Sequence, residues 1–177
     1  MKILVTGAAG FIGGQLCHAL WKRGDTVVGI DNFSYGNLDN LHFEDHDFGP
    51  EVLRLDIRDR EQLPALFERE HFDVVYNIAG IAPLPDCQSD PVEAVSVNTM
   101  GLVNLLELCR RHGVKHLVQA STNAMYENET EFPTVEDNFK APTLIYPSTK
   151  YCAEQFCRSF ATTYNMNVTC LRFANVY

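Results

Sequence analysis

Positive charge is what this 177-residue chain has least of: 14 lysines and arginines stand against 23 aspartates and glutamates, a net charge of −9. No basic stripe is present to neutralise phosphates, which argues against a nucleic-acid footprint, and the acidity reads as plain solubility. Long apolar runs are missing as well. None approaches membrane-spanning length, so no membrane partner is expected. The first apolar run, Lys2 to Val5, is too short for the core of a secretory signal, and a cytoplasmic location is expected. The six cysteines (Cys17, Cys87, Cys109, Cys152, Cys157, Cys170) show no zinc or redox spacing. Most fall inside helix or strand patterns, where they read as reduced, buried thiols. The six histidines are scattered without paired ligand spacing, so no metal site is expected. Repeats, low-complexity tracts and linkers are absent, and the length suits one domain with a full core.

What is present begins with the first thirty-one residues. Lys2-Ile3-Leu4-Val5 is of strand type and leads into Thr6-Gly7-Ala8-Ala9-Gly10-Phe11-Ile12-Gly13. A helical pattern follows from Phe11 to Arg23, then a second strand, Val27 to Ile30, with Asp31 at its end. Strand, glycine turn, helix, strand and acid make the dinucleotide-binding βαβ unit. Gly7 permits a tight turn, Gly10 lets the backbone approach a pyrophosphate, and Gly13 lets the helix lie close on the sheet. The N–H groups at the helix start then face the phosphates. Asp31, 18 residues after Gly13, can accept bonds from the adenosine ribose hydroxyls. A 2′-phosphate would be repelled there, and Asn32 and Phe33 offer no cation to receive one, which favours NAD over NADP.

Further along, Phe33 to Asn40 reads as a polar loop over the adenosine, and His42 to Pro50 as acidic surface. Strands are expected at Glu51–Leu55, Asp73–Asn77, Lys115–Ala120 and Asn167–Phe173. Helices are expected over 58–70, 91–112 and 145–165. Pro64 is tolerable only in a first turn, and Gly113 is a C-cap glycine. Asp56, with Ile57 beside it, is placed to meet the adenine amino group. Ile78 to Pro83 forms a small-residue turn in which Ala79 and Ala82 would border the cofactor. Ser121 to Thr143 is long and polar, as functional loops often are. Alternating strands and helices predict a doubly wound parallel α/β sheet (a Rossmann fold), order 3-2-1-4-5-6, with ligand at the carboxyl ends of the strands.

Tyr146-Pro147-Ser148-Thr149-Lys150 puts a phenol and an ammonium one helical turn apart on one face. A free tyrosine is too weak a base at neutral pH, and a neighbouring lysine would stabilise its phenolate. With these residues on the page, the chain resembles the extended short-chain dehydrogenase/reductase family, the nucleotide-sugar epimerases and dehydratases. Thr6 to Gly13 matches that family's glycine spacing, Asn98 its helix asparagine, and Ser121-Thr122-Asn123-Ala124-Met125-Tyr126 its catalytic loop. Tyr146 and Lys150 match its catalytic pair, and Asn175 the asparagine that touches the sugar nucleotide.

The resemblance implies a catalytic trio of Thr122, Tyr146 and Lys150, with Tyr146, Lys150 and Asn98 also at the cofactor. Thr122, Asn123, Tyr146 and Asn175 would face the substrate. It further implies a homodimer through helices 91–112 and 146–165. It also implies a C-terminal substrate domain absent from this chain, so that residues 1–177 form the NAD-binding domain with the catalytic residues. Two places depart from the family. Asn123 and Ala124 stand where sugar dehydratases carry Asp and Glu, and neither can act as a general acid or base. Glu127 stands where a glycine usually follows the tyrosine. The expected activity is an NAD-dependent nucleotide-sugar epimerase, acting at C4 of a hexose through a 4-keto intermediate. A sugar-nucleotide reductase or dehydratase and a non-catalytic NAD-binding fragment are the alternatives.

Overall fold

A computed structural model describes residues 1–49, 51–130, 133–136 and 141–177. Pro50, and residues 131–132 and 137–140 of the long polar segment, lie outside the described residues. Six parallel strands lie in the order β3-β2-β1-β4-β5-β6, as the sequence predicts. In chain order the elements are β1 (Lys2–Thr6), α1 (Phe11–Lys22), β2 (Thr26–Asp31), β3 (Leu53–Arg54), α2 (Gln62–Arg69), β4 (Val74–Asn77) and α3 (Leu84–Ser89). Then come α4 (Pro91–Val95), a π-helical segment (Ser96–Gly101), α5 (Leu102–Arg111), β5 (His116–Thr122), α6 (Ile145–Tyr164) and β6 (Val168–Phe173).

Alternation along β1 assigns the two faces of the sheet. Ile3 and Val5 pack with Cys17, Leu20, Leu41 and Phe48 on the α1 side. Leu4 packs with Leu63, Phe67, Leu102, Leu105, Leu106 and Ala153 on the side of α2, α5 and α6. A parallel sheet covered on both faces must bury its middle strands, and Ile3, Leu4, Val5 and Val75 are fully buried. Within Pro91–Arg111 an 18-residue window has a mean hydropathy of 1.2, enough by length and composition to cross a bilayer, yet 56% of that window is buried in this fold. Packing on the sheet accounts for its apolar character.

The helix ends follow local chemistry. After α1, Gly24 takes a left-handed φ of 89°. Its N–H bonds the Trp21 carbonyl and that of Asp25 the Leu20 carbonyl, a Schellman closure. Gly113 ends α5 in the same way, its φ being 66°. Pro64 is the third residue of α2, within the first turn, where its missing N–H costs nothing.

Three expectations need correction, and one helix was not foreseen. The third strand is only Leu53–Arg54, both exposed on an edge that pairs with β2 alone. Helix α2 starts at Gln62 rather than Arg58, because the Asp59 carboxylate takes the amides of Glu61 and Gln62 in a turn ahead of it. Helix α3 lies between the turn ending at Pro83 and the helix expected from Pro91, in residues to which no element was assigned. The segment after His42 is not all surface: Phe48 is 3% exposed, and Phe43 stacks on His18 of α1 at 3.9 Å between ring centroids.

Candidate active site

The order of strands reverses between β1 and β4, and two adjoining grooves open at the carboxyl ends there. The first, about 430 Å³, is lined by Gly7, Gly10, Ile12, Gly13, Asp31, Asn32, Asp56, Ile57 and Ala79. The second is lined by Phe11, Ala82, Thr122, Asn123, Tyr146, Lys150 and Asn175. Ile12, Ile78 and Gly80 border both, so the two are continuous. Every site residue expected from sequence except Asn98 therefore borders one cleft.

The glycine turn is built to admit something close to its backbone. Gly7 has φ of 66°, and a Cβ there would meet the Ala79 nitrogen at 2.7 Å. A Cβ on Gly13 would lie 2.0 Å from the Gly7 carbonyl oxygen, so this glycine lets α1 lie close on its own turn rather than on the sheet. Gly10 is less confined: a Cβ there would meet only the Gly7 carbonyl oxygen, a tight contact at 3.2 Å. Gly10 is also the N-cap of α1 and supplies no side-chain acceptor, leaving the first helical N–H groups to a ligand. Gly14 was not singled out by spacing, yet a Cβ on it would sit 2.2 Å from the Asn40 carbonyl oxygen.

Asp31 is held by two amides, Ala9 N–H to Oδ2 at 3.0 Å and Phe33 N–H to Oδ1 at 2.7 Å. Each carboxylate oxygen keeps a lone pair for a hydroxyl. Arg54 lies with its guanidinium 4.6 Å from the Phe33 ring centroid and donates to the Asn32 carbonyl. A cation that the local sequence did not show thus stands beside the turn after β2. Asp56 is not free for an adenine. Its oxygens accept from the Arg58 amide and Nε, from Arg58 Nη2 and from Asn32 Nδ2, which fills its lone-pair positions. Those bonds, Arg58 foremost, hold its carboxyl down to about 2.

Asn98 corrects a second expectation. It is 1% exposed and borders neither groove. Its Oδ1 accepts from the Ile81 amide at 2.8 Å, while its Nδ2 donates to the Ile81 carbonyl at 2.9 Å and to Thr149 Oγ1 at 3.0 Å. It clamps the turn after β4 to the start of α6.

Beneath the cleft a polar row crosses the sheet in register, Thr6 beside Asn77 and Asn77 beside Gln119. Thr6 Oγ1 donates to Asn77 Oδ1, Asn77 Nδ2 to Gln119 Oε1, and Gln119 Nε2 to the Ala120 carbonyl. All three side chains are buried and satisfied, as a polar row in a core must be. Lys150 Nζ donates to the same Ala120 carbonyl at 3.1 Å. The lysine is 4% exposed, and burial depresses it from 10.5 to about 8.

Tyr146 behaves otherwise than its spacing from Lys150 suggests. Burial pushes its phenol up, and the group that lowers it is the Thr122 hydroxyl. That hydroxyl's oxygen accepts from the Ala124 amide at 3.1 Å, so its proton is available to the phenol. Lysine and tyrosine share a helix face, but the ammonium is directed to Ala120.

A doubly wound sheet with a glycine turn, an acid after β2 and a Thr–Tyr–Lys group at the switch point defines a Rossmann-type dinucleotide-binding domain. The chain belongs to the NAD dependent epimerase/dehydratase family, whose model matches residues 3–177. It is 33% identical to the UDP-glucose 4-epimerase of Thermotoga maritima solved with UDP-glucose, covering 100% of this chain and 56% of that one at a TM-score of 0.92. The Thermus thermophilus UDP-glucose 4-epimerase complex with NAD is 32% identical, with a TM-score of 0.89 over 100% of this chain and 56% of that one. UDP-glucuronate 4-epimerase 3 of Arabidopsis thaliana is 35% identical over 99% of this chain and 42% of its own length. The chain spans about half the length of the curated relatives it matches.

Proposed function

We propose that this chain binds NAD and carries the catalytic groups of a nucleotide-sugar epimerase that acts at C4 of a hexose. Gly7, Gly10, Gly13 and the start of α1 would hold the pyrophosphate, and Asp31 the adenosine ribose. NAD, when bound, would supply the hydride acceptor and donor for the sugar carbon, so that none is consumed. Tyr146, as phenolate, accepts the proton of the C4 hydroxyl and gives it back when the 4-keto group is reduced. Thr122 hydrogen-bonds the reacting oxygen. Lys150, buried and cationic below pH about 8, would hydrogen-bond the nicotinamide ribose and add positive charge to the site. Asn175 and Asn123 face the sugar nucleotide from the second groove.

The observation that carries this reading is the meeting of Thr122, Tyr146 and Lys150 in a groove whose neighbouring positions, Asn123 and Ala124, supply no acid or base. Oxidation and return need the first three alone; dehydration needs the others. The test is interconversion of UDP-glucose with UDP-galactose, and of UDP-glucuronate with its C4 epimer, at catalytic NAD. Tyr146→Phe is expected to cut turnover by ~10²–10⁴-fold. Turnover within a few-fold of the parent, or NADH consumed in step with product, refutes the assignment.

A homodimer belongs to the same proposal. Val92 is 78% exposed and Val95, Met100 and Phe156 are each above 40%, along the two helices expected to pair. The six unpaired cysteines fit a reducing compartment such as the cytoplasm. Sedimentation of the parent and of Val92→Asp checks the dimer.

A further inference from the structure

Glu127 has a set of partners that the catalytic reading does not use. Its Oε1 accepts from the Thr143 amide at 2.5 Å, the Thr143 hydroxyl at 3.1 Å and the Leu144 amide at 3.0 Å. Burial acts to raise this carboxyl, but the bonds from Thr143 and Leu144 outweigh it and hold it below the usual range. Thr143 and Leu144 immediately precede α6, whose N-cap, Leu144, makes no side-chain cap bond. In a capping box the third helical residue reaches back to that amide. Here the third residue is Pro147, which has no side-chain acceptor, and the hydroxyl of the next, Ser148, turns instead to the Pro142 carbonyl. The acceptor comes from a carboxylate 17 residues upstream of Leu144.

That carboxylate has a particular address. Glu127 directly follows the 3-10 turn Asn123–Tyr126, which Thr122 opens by accepting the Ala124 amide. Tyr146 is the second residue of α6. One side chain thus ties the backbone that carries Thr122 to the backbone that carries Tyr146.

We propose that Glu127 is a positioning residue that fixes the spacing between the Thr122 hydroxyl and the Tyr146 phenol. The inference rests on the role given to that pair above, where a displacement of about 1 Å can cost on the order of a hundredfold in rate. Burial and the Cys87 charge act to raise Tyr146 while Thr122 lowers it, so loss of the Thr122 contact must leave the phenol a weaker acid.

The experiment is an NMR titration of the protein carrying isotope-labelled tyrosine ζ-carbons, the Tyr146 line being assigned by its loss in Tyr146→Phe. In Glu127→Ala the Tyr146 midpoint is expected to rise. In Glu127→Gln, which keeps a carbonyl oxygen for the same donors, it is expected to stay near the parent's. If the alanine variant does not fold, Glu127→Asp, one methylene short, takes its place with the same expectation. Thermal unfolding is followed in parallel. A lowered melting temperature with an unmoved midpoint in the truncated variant, or a glutamine variant shifted as far as the truncated one, overturns the proposal. The readout needs neither sugar nor turnover, so its failure is separate from failure of the epimerase assay.

Discussion

Lys150 gives its hydrogen bond to the Ala120 carbonyl across 3.1 Å, and Tyr146, one helical turn before it, is lowered by Thr122 instead. The two catalytic candidates are therefore prepared by different neighbours. One is a desolvated ammonium on a carbonyl at the end of a buried polar row; the other is a phenol facing a hydroxyl.

Lys150→Met should stabilise the protein and abolish activity. The ammonium falls from 10.5 unfolded to about 8 folded, so folding disfavours its charge. The cost is full below pH about 8, shrinks as pH rises from about 8 to about 10.5, and is absent above. It amounts to on the order of 3 kcal/mol at neutral pH. Ala120 keeps its bond from Gln119, so methionine leaves no carbonyl orphaned. Urea unfolding at about pH 7 should show the variant ahead, and at about pH 10 the gap should narrow.

Gly10→Ala and Gly13→Ala should separate binding from folding. Gly10 has an ordinary extended backbone, φ −77° and ψ 166°, and a methyl group there would press only on the Gly7 carbonyl oxygen, at 3.2 Å, which a shift of a few tenths of an ångström relieves. Its alanine variant should unfold within about 1 kcal/mol of the parent while losing most NAD affinity, because the methyl stands where a pyrophosphate would lie. Gly13→Ala drives a Cβ into the Gly7 carbonyl and should lower the melting temperature as well. Calorimetry of NAD binding beside thermal scans distinguishes the two.

Replacing Asp31 should alter the preference between NAD and NADP. The carboxylate repels a 2′-phosphate, while Arg54 waits on the Phe33 ring beside it. Asp31→Ser should weaken NAD and improve NADP, moving their affinity ratio by tenfold or more, about 1.4 kcal/mol. Arg54→Ala on that background should take the gain away. Competition titrations of the two dinucleotides measure both steps.

Thr122→Val should raise the Tyr146 midpoint, since the hydroxyl is the group that lowers it. Tyrosine works as the deprotonated base, so the rising limb of the pH–rate profile moves to higher pH and the rate at neutral pH falls. Thr122→Ser, which keeps the hydroxyl, should return the limb close to its original place.

Strand order, the glycine turn and the cleft were legible because their signals are local: spacing of Gly7, Gly10 and Gly13, alternation in β1, and an acid at the end of β2. The hydrogen bonds that tune the site were not. Asn98 to Ile81 spans 17 residues, Lys150 to Ala120 spans 30, and Asn32 to Asp56 spans 24. No periodicity encodes such pairs; they exist only once the sheet is assembled. Tyr146 and Lys150 show the limit most plainly. Their spacing places them on one face, but which neighbour each one bonds depends on where β5 ends.

The π-helical segment Ser96–Gly101 encloses one residue more in each hydrogen-bonded loop than the helix on either side of it. The stripe that α5 lays on the core is consequently out of phase with the stripe that α4 presents, and Asn98 sits at the offset. Excising a single residue there would let the rod wind uniformly, at the expense of aiming that amide away from Ile81. The irregular turn is thus a rotational coupling that allows one helix to serve two surfaces with different demands.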